Sequence, residues 1–262
     1  MSSLVRDPDL KRVRPVLTAV QERAPLVHCL SAAVSMGIVA DGLLAAGARP
    51  MMTETLDEAP HMVTLADALL INLGTLSTDG SEGIPATVEA AQGLGLPWAL
   101  DPAAVGVAPV RTAMARRLLK RHPAVVRANA SEVLALASEA GGAGGRGADS
   151  TAVPDEAARA ARQVSALTRG VVAISGAEDL LIDARRELRV ARGTPLLTRV
   201  TGTGCLLGAL TAACLGAGAA PLEAADAATV WIAVAGELAE TRAPRPGSFR
   251  TALLDSLDEV AL

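Results

Sequence analysis

Thr201-Gly202-Thr203-Gly204-Cys205 is followed at once by the apolar, Ala-rich run Leu206 to Cys214. Small residues and two glycines opening onto a helix aim free backbone N–H groups at one point, where the helix dipole adds partial positive charge. Such a point can hold a phosphate or stabilise one in transfer. The cysteine falls in the first helical turn, where a thiol can face the reacting centre and have its pKa lowered by the helix N-terminus. Read alone, the segment fits a glycine-rich cap with a buried cysteine equally well, and the rest of the chain has to decide.

Four polar residues stand at the C-terminal ends of apolar, strand-like runs: Asn72, Asp101, Arg127 and Ser175. Ligands of open α/β sheets bind at that edge, so four in series mark a site. Asp101-Pro102-Ala103-Ala104-Val105-Gly106 ends a strand in an acid, and Asn129-Ala130-Ser131-Glu132 follows the next strand. Asn129 with Glu132 also fits a helix cap with a capping box. Two carboxylates beside a phosphate-holding loop are nevertheless what a magnesium–nucleotide site needs. Magnesium takes one or two carboxylates, directly or through water, plus phosphate oxygens.

The basic residues narrow the chemistry. Lys11 and Lys120 are the only lysines, against 22 arginines. Neither lysine follows a glycine-rich loop, which excludes a P-loop, and there is no VAIK-like strand of a protein kinase. Phosphate chemistry here must use glycine amides, arginine and metal. A GxSxG elbow is missing, and Gly202-Thr203-Gly204 is too short for a Rossmann fingerprint.

The elements that must position these residues alternate strand-like and helical segments, which predicts an α/β fold with a largely parallel sheet. Helices are expected over 8–22, 31–46, 55–66, 80–94, 109–120, 129–137 and 154–168, then after the Gly202 loop and near 221–240 and 248–260. Strands are expected at 26–28, 51–52, 68–72, 98–101, 124–127 and 171–175, with an antiparallel hairpin at 179–183 and 187–191. Residues 139–150 are Gly-rich and low in complexity and read as a flexible surface loop. No internal repeat is visible, and 1–262 reads as a single domain.

Half of the 262 residues are hydrophobic, with no Tyr, one Phe (Phe249) and two Trp (Trp98, Trp231), so the core must be aliphatic. A net charge of −4 and the missing aromatics argue against nucleic-acid binding. No uninterrupted apolar run reaches the length of a membrane span, and the charged first residues lack a signal-peptide core. The cytoplasm is the expected location. Cys29, Cys205 and Cys214 form no CxxC pair, and His28, His61 and His122 are scattered, which argues against a structural zinc site.

Taken in order, these segments resemble the hydroxyethylthiazole kinase family of the ribokinase-like superfamily. The resemblance is carried by Pro25-Leu26-Val27-His28, Gly42-Leu43-Leu44-Ala45, Asn72-Leu73-Gly74-Thr75-Leu76, Asp101-Pro102 to Gly106, Arg127, Asn129, Ser131-Glu132, Ile174-Ser175-Gly176, Val200 to Leu207 and Pro246-Gly247-Ser248-Phe249. It covers the chain from about residue 25 to near its end. Cys205 is its diagnostic residue, where most ribokinase-like enzymes carry an aspartate. The resemblance implies a central, mostly parallel sheet with helices on both faces. It also implies phosphorylation of the hydroxyl of 5-(2-hydroxyethyl)-4-methylthiazole by Mg-ATP in thiamine biosynthesis, and a homotrimer with acceptor pockets at the subunit interfaces.

Carried over by position, Met52 contacts the thiazole, with Ala32 and Val34 in the same pocket, and Gly202 lies beside the hydroxyl. Gly202, Gly204 and Cys205 form the transfer loop, with Cys205 as the candidate base. Arg127 and Ser175 contact ATP phosphates, and Asp101 and Glu132 order the metal. The chain departs from the family at His28-Cys29-Leu30-Ser31-Ala32, where Cys29 and Ala32 replace amides, and at Gly37 and Asp41, which replace asparagines. The nucleotide half is kept and the acceptor half eroded, with residues 28–32 expected to line the pocket. Two alternatives stay open: a kinase of another small alcohol (a pyrimidine or modified thiazole), and a non-catalytic nucleotide- or thiazole-binding regulator.

Overall fold

The computed structural model describes Leu4, residues 6–138 and residues 154–261. The loop expected over 139–150 lies outside the described residues. Eight strands form one sheet: β1 Leu26–Leu30, β2 Arg49–Met51, β3 Ala68–Asn72, β4 Trp98–Asp101, β5 Val125–Asn129, β6 Val171–Ser175, β7 Asp179–Ile182 and β8 Glu187–Val190. Their order across the sheet is β2-β1-β3-β4-β5-β6-β7-β8. Every pairing from β2 to β6 is parallel, and β7 and β8 close that edge as an antiparallel hairpin.

Ten helices accompany the sheet among the described residues: α1 Pro8–Arg23, α2 Met36–Ala45, α3 Ala59–Met62, α4 Thr78–Gly93, α5 Pro109–Leu119, α6 Ala130–Ala137, α7 Pro154–Thr168, α8 Thr203–Gly216, α9 Pro221–Arg242 and α10 Pro246–Ala261. The expected mostly parallel sheet between two helical layers is what the structure has.

Strand alternation splits the aliphatic core in two. Val27, Cys29, Leu70 and Ala99 face α1, α2, α8, α9 and α10, in a layer that also buries Trp231 and Phe249. Leu30, Leu69, Ile71, Leu100 and Val126 face α4 to α7. With so few aromatics, the first layer is filled by helices brought close on small residues. A Cβ on Gly42 of α2 would collide with the Leu206 side chain of α8.

Two expected helices are shorter than the sequence pattern suggested. Residues 33–35 form a 3-10 turn before α2, and 55–66 hold only α3 and a second turn, Val63–Leu65. In 55–66 the exposed leucines supply a helical pattern without a face to bury, since Leu56 and Leu65 lie on the surface.

Candidate active site

Asn72 and Asp101, at the ends of β3 and β4, and Arg127 of β5 meet under the N-terminus of α8. Asn72 and Asp101 are register partners on β3 and β4. The Asn72 side chain donates Nδ2–H to Asp101 Oδ2 at 3.0 Å and accepts the Gly74 N–H at 2.8 Å. The same Asp101 oxygen lies 3.5 Å from Nη1 of Arg127. Both residues are withdrawn from water, with Asp101 almost completely buried. Asp101 Oδ1 and Arg127 Nε have no protein partner there.

Arg127 sits inside β5 rather than at its end, which is Asn129. Its guanidinium nonetheless reaches the strand edge and lies under the first turn of α8. A Cβ on Gly204 would stand 3.0 Å from Nη1 and 3.2 Å from Nη2. Glycine is therefore what lets arginine and helix terminus meet. The first bond of α8 runs from Leu206 N–H to Gly202 O at 2.8 Å. The N–H groups of Thr203, Gly204 and Cys205 precede it and lie outside the helical ladder. A cation and a helix N-terminus aimed at one place repel each other, and an anion between them relieves that repulsion.

Gly202, expected beside the acceptor hydroxyl, also has a structural reason to be glycine. It caps α8 with φ +93°, and a Cβ there would collide with Ile38 and approach Ser35 Cβ at 3.0 Å. The turn itself and the packing of α2 demand glycine.

Cys205 also differs from its expectation. Burial first, and the Asp101 carboxylate second, push its thiol above the ordinary range. Ser35, Asn72 and Arg127 act the other way without reversing the shift. The half-buried sulfur stands beside a carboxylate, and both the burial and the charge favour the protonated thiol. Cys205 holds its proton at neutral pH and makes a poor base.

Glu132 realises the capping box. Its Oε2 accepts the Asn129 N–H at 2.9 Å, Asn129 Oδ1 accepts the Glu132 N–H at 2.9 Å, and Glu132 Oε1 accepts the Ala104 N–H at 2.9 Å. Both oxygens are already engaged, which ties the loop after β4 to the start of α6. Ser175 ends β6 opposite Asn129 and is half-buried.

Asp179 belongs to this edge too. Its Oδ1 accepts the Gly176 N–H at 2.8 Å. Burial raises its pKa to about 6, opposed by that bond and by the charge of Arg127. An acid four residues after a strand-ending serine was the signal available in the sequence.

On the acceptor side the candidates separate. Met52 is partly buried against the first core layer, and Ala32 is buried beside Gly74. Val34 projects into solvent, 69 % exposed, so within one chain it lines nothing. Cys29 is buried in the core on the face away from His28 and accordingly does not line a pocket. Burial alone takes its thiol to about 12.

No group of three or more His, Cys, Asp or Glu side chains among the described residues is arranged to hold a metal. Asp101 still suits a hard cation that keeps its water shell, since a buried carboxylate oxygen is left without a partner. No helix among them is long and apolar enough to cross a membrane.

The sequence matches the hydroxyethylthiazole kinase family model over residues 17–262. It is 50% identical over 253 residues to a hydroxyethylthiazole kinase of Kineococcus radiotolerans, covering 97% of this chain and 90% of that one. It is 46% identical over 243 residues to that of Cronobacter sakazakii, covering 93% and 91%. Among solved structures, a hydroxyethylthiazole kinase protein from Pyrococcus horikoshii is similar with a TM-score of 0.87 at 37% identity, covering 95% of this chain and 93% of that one. A Bacillus subtilis pyridoxal kinase shares the fold, with a TM-score of 0.61 at 19% identity over 80% of this chain and 90% of that one.

Proposed function

The chain belongs to the hydroxyethylthiazole kinase family and is a phosphotransferase of ribokinase-like fold, and from that premise we propose that it uses Mg-ATP to phosphorylate the hydroxyl of 5-(2-hydroxyethyl)-4-methylthiazole. The observation that carries the site reading is the convergence of Arg127, Asp101 and the α8 N-terminus on one buried point at the sheet edge. Phosphoryl transfer asks for positioning and charge neutralisation more than covalent chemistry, and these groups supply both.

In this reading Arg127 and Ser175 hold ATP phosphates, and the N–H groups at 203–205 receive charge developing on the transferred group. Asp101, whose Oδ1 has no protein partner, would hold the magnesium ion, and Glu132, both of whose oxygens are engaged by backbone N–H groups, would order the loop beside it. The ion, when bound, neutralises phosphate charge. The acceptor hydroxyl enters beside Gly202, with the thiazole against Met52 and Ala32. Cys205 stays protonated and packs the first helical turn; as the bond from the γ-phosphorus to ADP breaks and the bond to the acceptor oxygen forms, the hydroxyl proton leaves late, to a phosphate oxygen or to water.

A trimer with acceptor pockets between subunits is part of the proposal. Val34, Leu44, Leu56 and Leu65 are large apolar residues left 69%, 59%, 47% and 61% exposed on the segments before and after edge strand β2. A second copy covering them would bury that surface and bring Val34 to a pocket it cannot reach within its own chain. ATP consumption measured across a panel of small alcohols tests the proposal. Hydroxyethylthiazole should lead, and a pyrimidine alcohol leading instead would move the acceptor class.

A further inference from the structure

His28 is the one buried histidine among the described residues, and the phosphate chemistry above leaves it unused. It lies on β1 between Met51 of β2 and Leu69 of β3. Its Nε2 is 2.7 Å from the carbonyl oxygen of Thr53. A carbonyl only accepts, so Nε2 carries the proton. In the neutral ring Nδ1 is then bare, and it is buried without a partner. A second proton would find nothing to bond. Burial also draws the ring's pKa below its ordinary value, against the Thr53 bond.

The Thr53 carbonyl lies where strand pairing has ended, next to Met52, whose side chain rests on the first core layer. β2 is the outermost strand, pairs only with β1, and ends at Met51. Beyond it the chain carries Met52 with no ladder on either side. Two contacts hold the segment further along. The Ser77 hydroxyl donates to Glu54 Oε1 at 2.9 Å, and Gly83 lets α4 press on the Glu54 backbone. The bond from His28 is the one adjacent to Met52.

We infer that His28 is a positioning residue for the acceptor: its Nε2–H, donated to the Thr53 carbonyl, fixes the edge-strand exit so that Met52 meets the thiazole ring. The inference rests on the acceptor reading proposed above and adds a residue that touches no substrate. It also separates the two halves of the site, because His28 holds nothing on the phosphate side.

The test compares His28→Leu, which lacks a donor, with His28→Gln, which keeps one, and uses Met52→Ala as the control. His28→Leu is expected to raise KM for 5-(2-hydroxyethyl)-4-methylthiazole about tenfold, with kcat and KM for ATP within about twofold. His28→Gln should stay within about threefold of wild type on all three. If His28→Gln is as damaging as His28→Leu, or if both KM values rise together, the histidine is only a packing residue and the inference falls. Met52→Ala damaging acceptor KM while His28→Leu does not would defeat the inference alone. Met52→Ala without effect would defeat the acceptor reading and the inference with it. Should His28→Leu fail to fold, nitrogen-detected NMR of the three histidines in the wild-type protein decides. At pH 7 the His28 ring should be the neutral Nε2–H tautomer, and an Nδ1–H or doubly protonated ring overturns the inference.

Discussion

Nη1 of Arg127 lies 3.5 Å from Oδ2 of Asp101, with 17% of the arginine side chain and 2% of the aspartate side chain exposed to solvent. This separation is loose for an ion pair, and the guanidinium is shared with the space under α8. Asn72, not Arg127, makes the closer contact with the carboxylate. The arginine is thus held near the acid without being consumed by it, which leaves its fork open to the phosphate that the proposed reading assigns to it.

Arg127→Gln is expected to raise KM for ATP about tenfold or more and KM for the alcohol much less, since an amide loses both charge and fork. Steady-state kinetics with each substrate varied in turn checks it. The reverse pattern would move Arg127 to the acceptor side.

Asp101 gives the ligand-free protein a recognisable pH response. Burial pushes its carboxyl from 3.8 up to about 6, opposed by Arg127 and assisted by Glu132. The folded state therefore binds its proton more tightly than the unfolded chain. Its stabilising contribution is full below about pH 4 and is lost as pH rises through about 6. Asp101→Asn, which cannot ionise, should gain stability relative to wild type across that window and hold the gain above it, by about 3 kcal/mol at most. Its turnover should fall at least about a hundredfold. Denaturant midpoints of the ligand-free proteins at several pH values read the first effect, and a pH-independent difference would contradict it.

The two loop glycines should fail differently. Gly204→Ala places a methyl against the Arg127 guanidinium and should raise KM for ATP in a protein that still folds. Gly202→Ala meets both a φ of +93° and Ile38, so thermal stability should drop first, by about 1–3 kcal/mol. Equal melting temperatures for the two variants would show that the turn at 202 is not strained by a side chain.

Cys205→Ser should retain kcat to within about tenfold, short of the loss expected when a general base is removed. The pH profile of kcat should keep its shape. A fall of about a thousandfold would restore the thiol as the proton acceptor in spite of its dry surroundings.

Much of this fold could be read in the residues. β3, β4 and β6 occupy the runs 68–72, 98–101 and 171–175, because short continuous apolar stretches between turn residues have one good use in a parallel sheet. β2 was displaced, expected at 51–52 and found at Arg49–Met51, because a three-residue edge strand is defined by its neighbour's backbone rather than by a pattern. Asn72, Asp101 and Ser175 were legible as strand ends and so was the capping box at Asn129, whereas Arg127 was not, because β5 runs on to Asn129. That Glu132 also reaches Ala104, that Asp179 returns to Gly176 beside Arg127, and that Cys205 faces Asp101 depend on neighbours distant in the chain. Cys29 is a different case. Period-two alternation alone places it opposite His28, so its removal from the pocket could have been read in advance.

Val34→Asp with Leu44→Asp should convert the assembly to monomers and abolish acceptor use, if the exposed apolar segments around β2 are an interface. Sedimentation velocity checks the state. An active wild-type monomer would defeat the proposal.

In the proposed reading Asp101, Arg127 and the α8 N-terminus form a phosphoryl-transfer site serving a thiazole alcohol. The most direct measurement incubates the purified protein with Mg-ATP and 5-(2-hydroxyethyl)-4-methylthiazole and follows ADP and the phosphorylated thiazole by mass spectrometry, with Asp101→Asn in parallel. One phosphorylated thiazole per ADP is expected with the wild-type protein and almost none with the variant. ADP release without thiazole phosphate, or equal turnover by both proteins, would contradict it.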